Sequence, residues 1–144
     1  KQVGTADCEL PECFNHIPFM VYGEPLQPEL RRVHPDFAVQ EDVTPTLLGL
    51  LQIPYTQNNF GIDLLREQRP AAFYSADKTM AARDSSRLYV YDHDTKREYC
   101  YALQGGQPRP TAFSPEFESL KSYVLAQLQA ADWLVQQGQT TDKP

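Results

Sequence analysis

A helix-start signal followed by an apolar run constrains the fold of this chain more than any other feature. Thr44 is a residue type that caps helix N-termini, and Pro45 follows at the first helical position, where an N–H group has no intrahelical partner. Five of the eight residues from Thr46 to Ile53 are Leu or Ile, which leaves little polar face, and Pro54 prevents the helix from continuing. The pattern predicts a largely buried helix, with Asp42 placed to bind free backbone amides or to stabilise the positive end of the helix dipole.

A second helix signal lies near the end of the sequence. Ser114 is a capping residue type, Pro115 suits the first helical position, and the carboxylate of Glu116 suits the helix dipole. We expect the helix to end near Gly138 and to pack on its own sheet through one apolar face. That face is formed by Phe117, Leu120, Val124, Leu128, Ala131 and Val135.

Short apolar or alternating segments predict strands between and before the helices. The turn at 93–96 predicts a hairpin, and Gly105, Gly106, Pro108 and Pro110 are expected to end it and form a linker. The fold class is therefore expected to be α/β, with a few strands that include a small antiparallel hairpin. The expected strands are 17–22, which should be buried, and 71–75, 87–92 and 97–103.

Composition and charge exclude several classes of protein. Hydrophobic residues make up 41% of the 144 residues and charged residues 22%, which is typical of a globular chain. The net charge of -6 and the lack of a Lys/Arg cluster argue against nucleic-acid binding. No apolar run is long enough to span a bilayer, and the first residues do not resemble a signal peptide. Because the chain begins at Lys1, we expect a fragment of a longer protein or a mature form.

The residues that most often carry chemistry show no spacing typical of a catalytic or metal site. His16, His34 and His93 share no ligand spacing, and structural roles are favoured for all three. Phosphate-binding loops, dinucleotide fingerprints and the Gly-x-Ser-x-Gly elbow are missing from the sequence. Cys8 and Cys13 are spaced so that they can close a small disulfide loop or remain reduced, whereas Cys100 is expected to be buried in a strand.

Carboxylates and tyrosines allow a ligand interpretation, but a structural one is favoured. Asp92 and Asp94 flank His93, and Glu41 adjoins Asp42, yet a hard-cation site requires several more converging oxygens. Solvated turn and helix-cap carboxylates explain these positions better. Four alternating tyrosines can stack a base or a sugar, but residues in this pattern are more often cross-strand pairs in a small antiparallel sheet. They are Tyr89, Tyr91, Tyr99 and Tyr101.

Three short motifs occur in a distinctive order within residues 14–66. The first is His-Ile-Pro-Phe-Met-Val-Tyr from His16, the second is Asp-Val-x-Pro-Thr-Leu-Leu-x-Leu-Leu from Asp42, and the third is Phe-Gly-Ile-Asp-Leu-Leu from Phe60. This order resembles the C-terminal part of the sulfatase and alkaline-phosphatase superfamily. The resemblance is closest to the membrane-anchored phosphoglycerol and phosphoethanolamine transferases typified by lipoteichoic acid synthase.

The resemblance implies a parallel-sheet hydrolase fold with a small antiparallel subdomain near its C-terminus. Members hold one or more divalent metals, and a threonine, serine or modified cysteine attacks phosphorus or sulfur. The family's Asp-His metal pair would precede Ile17, but neither that pair nor a nucleophile motif occurs between Lys1 and Ile17. No catalytic, cofactor-binding or metal-binding residue is therefore assigned to this chain. Asp42 and residues 44–46 are expected to be structural, capping the helix and fixing it to the sheet.

The resulting hypothesis is a C-terminal fragment of a metal-dependent sulfatase-like hydrolase or phospho-group transferase that acts on anionic lipid headgroups or glycans. Residues 1–70 would end the larger sheet, and residues 71–144 would form the antiparallel strands and last helix. The partner would be the remainder of the same catalytic domain, which would hold Mn, Mg, Ca or Zn. The parent would face the periplasm or the extracytoplasmic side of the inner membrane, if bacterial. The alternative is a non-catalytic sulfatase-like binding or sensing domain.

Overall fold

The structure, a computed structural model, describes residues 10, 16–23, 37–57 and 59–138. Two helices and five strands occur in this part of the chain, so the expected α/β class is confirmed. Short 3-10 turns at Gln40–Asp42 and Pro115–Phe117 lead into the two helices. The elements are α1 (Val43–Leu50), β1 (Ala72–Ala76), β2 (Thr79–Arg83), β3 (Arg87–Asp92), β4 (Arg97–Gln104), β5 (Gln107–Thr111) and α2 (Glu118–Gln136).

The five strands form one antiparallel sheet in the order β1-β2-β3-β4-β5. The predicted strands at 71–75, 87–92 and 97–103 are confirmed to within one residue at each end. The turn at 93–96 joins β3 to β4 as expected. Strand β2 was missed, because its central residues are alanines and its ends are polar, so it lacks the pattern of large apolar residues.

The predicted linker at 105–110 is wrong, because this segment turns back into the sheet. Gly105 and Gly106 have φ values of 58° and 79°, a conformation that glycine adopts readily in a two-residue hairpin turn. Strand β5 follows and pairs with β4, with Pro108 opposite Leu103. Proline is tolerated here because β5 is the last strand of the sheet and needs backbone donors on one side only.

Both faces of the sheet are buried. Helix α2 covers one face, where the buried residues are Ala71, Ala82, Tyr89, Cys100, Phe117, Leu120 and Val124. On the opposite face the buried residues are Leu10, Ala81, Leu88, Val90 and Tyr101. This second cluster includes Leu10, so part of the chain far from the sheet in sequence contributes to the core.

Helix α2 follows the sequence prediction closely at both ends. Ser114 occupies the extended position before the 3-10 turn that begins at Pro115, but its side chain makes no capping hydrogen bond. The helix ends at Gln136, and Gly138 follows with a positive φ of 63°, which is typical of a helix C-terminus. The expected apolar face is buried only in its first half, and Val135 is 65% exposed because no strand of the described sheet lies beneath it.

Helix α1 is shorter and more exposed than the sequence predicts. It begins at Val43 rather than at Pro45, and it ends at Leu50, four residues before Pro54. Pro45 and Thr46 are buried, whereas the leucines of the helix are only partly buried. The expectation of a largely buried helix is therefore wrong, and Leu51 and Ile53, which were expected to continue it, lie beyond its end and are exposed. Among the described residues, no helix is both long and apolar enough to cross a membrane.

Matched valine substitutions on α2 test this packing. Val124 is 0% exposed and Val135 is 65% exposed, so the two positions differ in burial but not in residue type. We expect Val124→Ala to lower the free energy of unfolding by about 1.5–3 kcal/mol, the value of burying a valine side chain. Val135→Ala should change it by less than about 0.5 kcal/mol, as at other exposed sites. Urea unfolding of both variants measures the difference, and equal effects would contradict the packing of α2.

A charged turn joins β2 to β3. The Asp84 carboxylate accepts hydrogen bonds from the backbone amides of Ser86 and Arg87, at 2.8 and 2.7 Å, and pairs with the Arg87 guanidinium at 2.6 Å. Arg87 also donates to the carbonyl oxygen of Glu116, which ties the turn to the start of α2. Burial alone would raise the pKa of Asp84, but these hydrogen bonds outweigh it and hold the pKa below its ordinary value of 3.8.

Stability should therefore depend on pH through Asp84. Its contribution is present above the unfolded-state pKa of 3.8 and is lost as the pH falls through the lower pKa of the folded state. We expect Asp84→Asn to reduce stability at neutral pH and to flatten the loss of stability below pH 3.8. Ser85→Ala, at an exposed position of the same turn, should leave the pH dependence unchanged. Urea unfolding at a series of pH values measures the free energy of unfolding of each variant. If Asp84→Asn lost stability below pH 3.8 as steeply as the unsubstituted protein, the role of Asp84 would be contradicted.

Candidate functional site

A buried ion pair joins the start of the second motif to Arg69, which follows the third motif. Asp42 is 0% exposed, and both of its carboxylate oxygens contact the Arg69 guanidinium, one of them 2.7 Å from Nε. The same carboxylate accepts the backbone N–H groups of Val39 and Ile62 at 2.9 and 2.8 Å. Four hydrogen bonds thus satisfy the buried charge. Asp42 was expected to bind free backbone amides or to stabilise the positive end of the helix dipole. The amides it binds are those of Val39, just before the 3-10 turn that leads into α1, and of Ile62, which joins this end of α1 to a distant loop.

Arg69 extends this centre to three further parts of the structure. Its guanidinium donates to the carbonyl oxygen of Phe60 and to the Tyr123 hydroxyl of α2, the latter at 3.2 Å. Phe37 forms an isolated antiparallel bridge with Arg69. Burial alone would lower the pKa of Arg69, but the hydrogen bond and charge of Asp42 raise it above its ordinary value. Arg69 therefore stays charged, which suits a structural cation rather than a proton donor.

Sequence analysis missed Arg69, because residues 66–70 resemble a charged surface connection. The only available signal was Asp42 itself, since a carboxylate in an apolar setting requires a cation partner. Nothing in the sequence pattern indicates that the partner lies 27 residues away. Arg66, the neighbouring arginine, has an exposed side chain and pairs with Asp63 at 3.4 Å.

Thr46 fixes α1 to the third motif. Its hydroxyl accepts the backbone N–H of Leu64 at 3.1 Å and donates to the carbonyl oxygen of Ile62 at 3.4 Å. Thr46 was expected to be structural, and these bonds agree, although they reach the 62–64 segment and not the sheet. Thr44, the predicted cap, is exposed and lies inside the helix, because α1 starts at Val43.

Two glycines allow these segments to approach closely. A Cβ atom on Gly61 would collide with the carbonyl oxygen of Glu41, and one on Gly49 would collide with the carboxylate of Asp63. Asp63 is buried and accepts the backbone N–H of Leu65 at 3.0 Å, which shapes the turn that follows. The lack of a side chain at both glycines therefore lets the segments of the second and third motifs pack closely together.

Residues 16–23, which contain the first motif, lie on the surface. This segment was expected to be a buried strand, and that expectation is wrong: it is assigned to no strand and is mostly exposed. Met20 is 84% exposed and Tyr22 99%, and Ile17, Phe19 and Val21 are exposed as well. Five large apolar side chains in a row of six residues are thus open to solvent. We call Ile17–Tyr22 the exposed apolar run.

A groove of about 360 Å³ is lined by the start of this run, by the segment that leads into α1 and by β1. The lining residues are His16, Ile17, Phe19, Ala38, Val39, Gln40, Glu41, Val43, Leu64, Ala72, Phe73, Tyr74 and Ser75. His16 and Glu41 are the titratable residues that line it, and both are exposed. The lining is otherwise mostly apolar, so the groove suits a packed segment better than a charged small molecule.

The other candidate residues occupy structural positions. His93 lies in the β3–β4 turn, where its ring contacts the carbonyl oxygen of Asp77 and the carboxylate of Asp94, each at 3.1 Å. The Asp92 carboxylate accepts the turn amides of Asp94 and Thr95. In the described part of the chain, no group of three or more His, Cys, Asp or Glu side chains is placed to hold a metal ion.

The tyrosines and Cys100 belong to the sheet. Tyr89 lies opposite Cys100 and Tyr101 opposite Leu88, and the two tyrosines belong to the buried clusters on opposite faces of the sheet. The expectation that the tyrosines are cross-strand pairs is therefore wrong, although they do pack in the sheet. Burial raises the pKa of the Cys100 thiol, with a smaller effect of Glu98 in the same direction. Cys100 is buried as predicted. Cys8, Cys13 and His34 lie outside the described residues.

Comparison with protein-family models, with curated proteins and with solved structures finds no match for this chain. Its own sequence and geometry are therefore the basis for assigning a function.

Removing the acidic partner tests the buried ion pair. Asp42→Ala would leave the Arg69 guanidinium buried without its counter-charge, so we expect a loss of about 3–5 kcal/mol in the free energy of unfolding. The double variant Asp42→Ala/Arg69→Met removes both charges and should be more stable than the single variant Asp42→Ala. Chemical denaturation of the three proteins measures the coupling, and a cost below about 1 kcal/mol for Asp42→Ala would match an exposed pair instead.

A pair of threonine substitutions tests the bond between the motifs. Thr46→Val keeps the shape of the side chain but leaves the Leu64 N–H without its partner, which should cost about 1–3 kcal/mol. Thr44→Val, on the exposed side of the same helix, should change stability by less than about 0.5 kcal/mol. Thermal or urea unfolding measures the loss of stability in each variant. Equal losses would mean that the Thr46 hydroxyl does not hold the two segments together.

Proposed function

We propose that this chain is the C-terminal portion of the catalytic domain of a sulfatase-like hydrolase or phospho-group transferase, and that it lacks the catalytic centre itself. The exposed apolar run is the observation that carries this proposal. A chain that is complete as a folding unit rarely leaves so many adjacent large apolar side chains in water, and such patches mark surfaces that another structure covers. Here the covering structure would be the remainder of the same domain.

The composition of the run fits a strand of a larger parallel sheet. Strands covered by helices on both faces are near-continuous apolar runs rather than alternating ones. Ile17–Tyr22 has this character apart from Pro18, which suits the beginning of a strand. The resemblance implies that the corresponding segment belongs to the parallel sheet of the sulfatase-like fold. In this chain the only sheet among the described residues is antiparallel and does not include the run. The parent would supply the neighbouring strands.

Local geometry supports the same assignment. The second and third motifs of the resemblance are distant in sequence but bonded in space, through Asp42 to Ile62 and through Thr46 to Leu64. Asp42 and Thr46 of the second motif thus supply the side chains that bind the third motif.

In this proposal the catalytic residues lie in the part of the longer protein that precedes Lys1. A divalent metal there would activate a threonine, serine or modified-cysteine nucleophile and neutralise charge on the transferred phosphoryl or sulfuryl group. This chain would complete the sheet and shape one wall of the cleft. Substrates would be anionic lipid headgroups or phosphorylated or sulfated glycans, on the extracytoplasmic side of a membrane.

The natural gene product tests the proposal directly. Its intact mass and the sequence before Lys1 should reveal a longer protein with hydrophobic spans, a nucleophile and an Asp-His pair. The purified full-length protein should hydrolyse p-nitrophenyl phosphate or p-nitrophenyl sulfate with a divalent metal and lose that activity with a chelator, and residues 1–144 alone should be inactive. A longer protein without those residues would support the binding or sensing alternative. A natural product that begins near Lys1 would overturn the assignment.

The two methionines of the chain provide a test of the exposed apolar run. Met20 is 84% exposed, whereas Met80 lies in β2 and packs against the core beneath α2. Because methionine oxidation follows exposure, peroxide should oxidise Met20 much faster than Met80 in the isolated chain. In the full-length protein we expect Met20 to be protected, while the rate at Met80 stays the same. Peptide mapping by mass spectrometry gives both rates, and rapid oxidation of Met20 in the full-length protein would show that nothing covers the run.

A further inference from the structure

We draw no further inference here: the strongest candidate, the groove between the outer edge of β1 and residues 16–19, carries nothing because no contact among the described residues shows what covers it.

Discussion

The pairing of Asp42 with Arg69 is the constraint on which the arrangement of the first half of the described chain depends. A buried carboxylate and a buried guanidinium tolerate no loose geometry, since each charge has lost its water and must be satisfied by the other and by fixed amides. The hydrogen bonds of the pair reach the start of α1, the backbone at Phe60 and Ile62, and Tyr123 of α2. One polar centre thus connects the motif region to the helix that covers the sheet.

The motif region is stabilised differently from the sheet. The sheet buries apolar side chains on both faces, whereas the segment from Gln40 to Leu65 is held largely by polar bonds and by glycines that allow close backbone contact. Leu51 and Ile53, in the same segment, are exposed.

Sequence reasoning located most of the sheet because local pattern and turn chemistry determine it. The alternation in β3 and β4, with a polar turn between them, depends on neighbours along the chain. Sequence reasoning missed β2, because its alanines are buried by distant parts of the chain rather than by their own size. It also missed β5, whose prolines are tolerated because β5 is the edge strand of the sheet. It also failed at Arg69, since the sequence gives no measure of distance to Asp42.

The sequence by itself determined the α/β class, the hairpin around residues 93–96, the long helix that ends before Gly138 and the structural character of Asp42 and Thr46. These features follow from periodicity, capping and turn preferences, which act over a few residues. Only the tertiary structure decided that Asp42 binds Arg69, that residues 105–111 return to the sheet and that Ile17–Tyr22 faces solvent. Burial and pairing at those positions depend on which distant segments meet, and local sequence does not encode that choice.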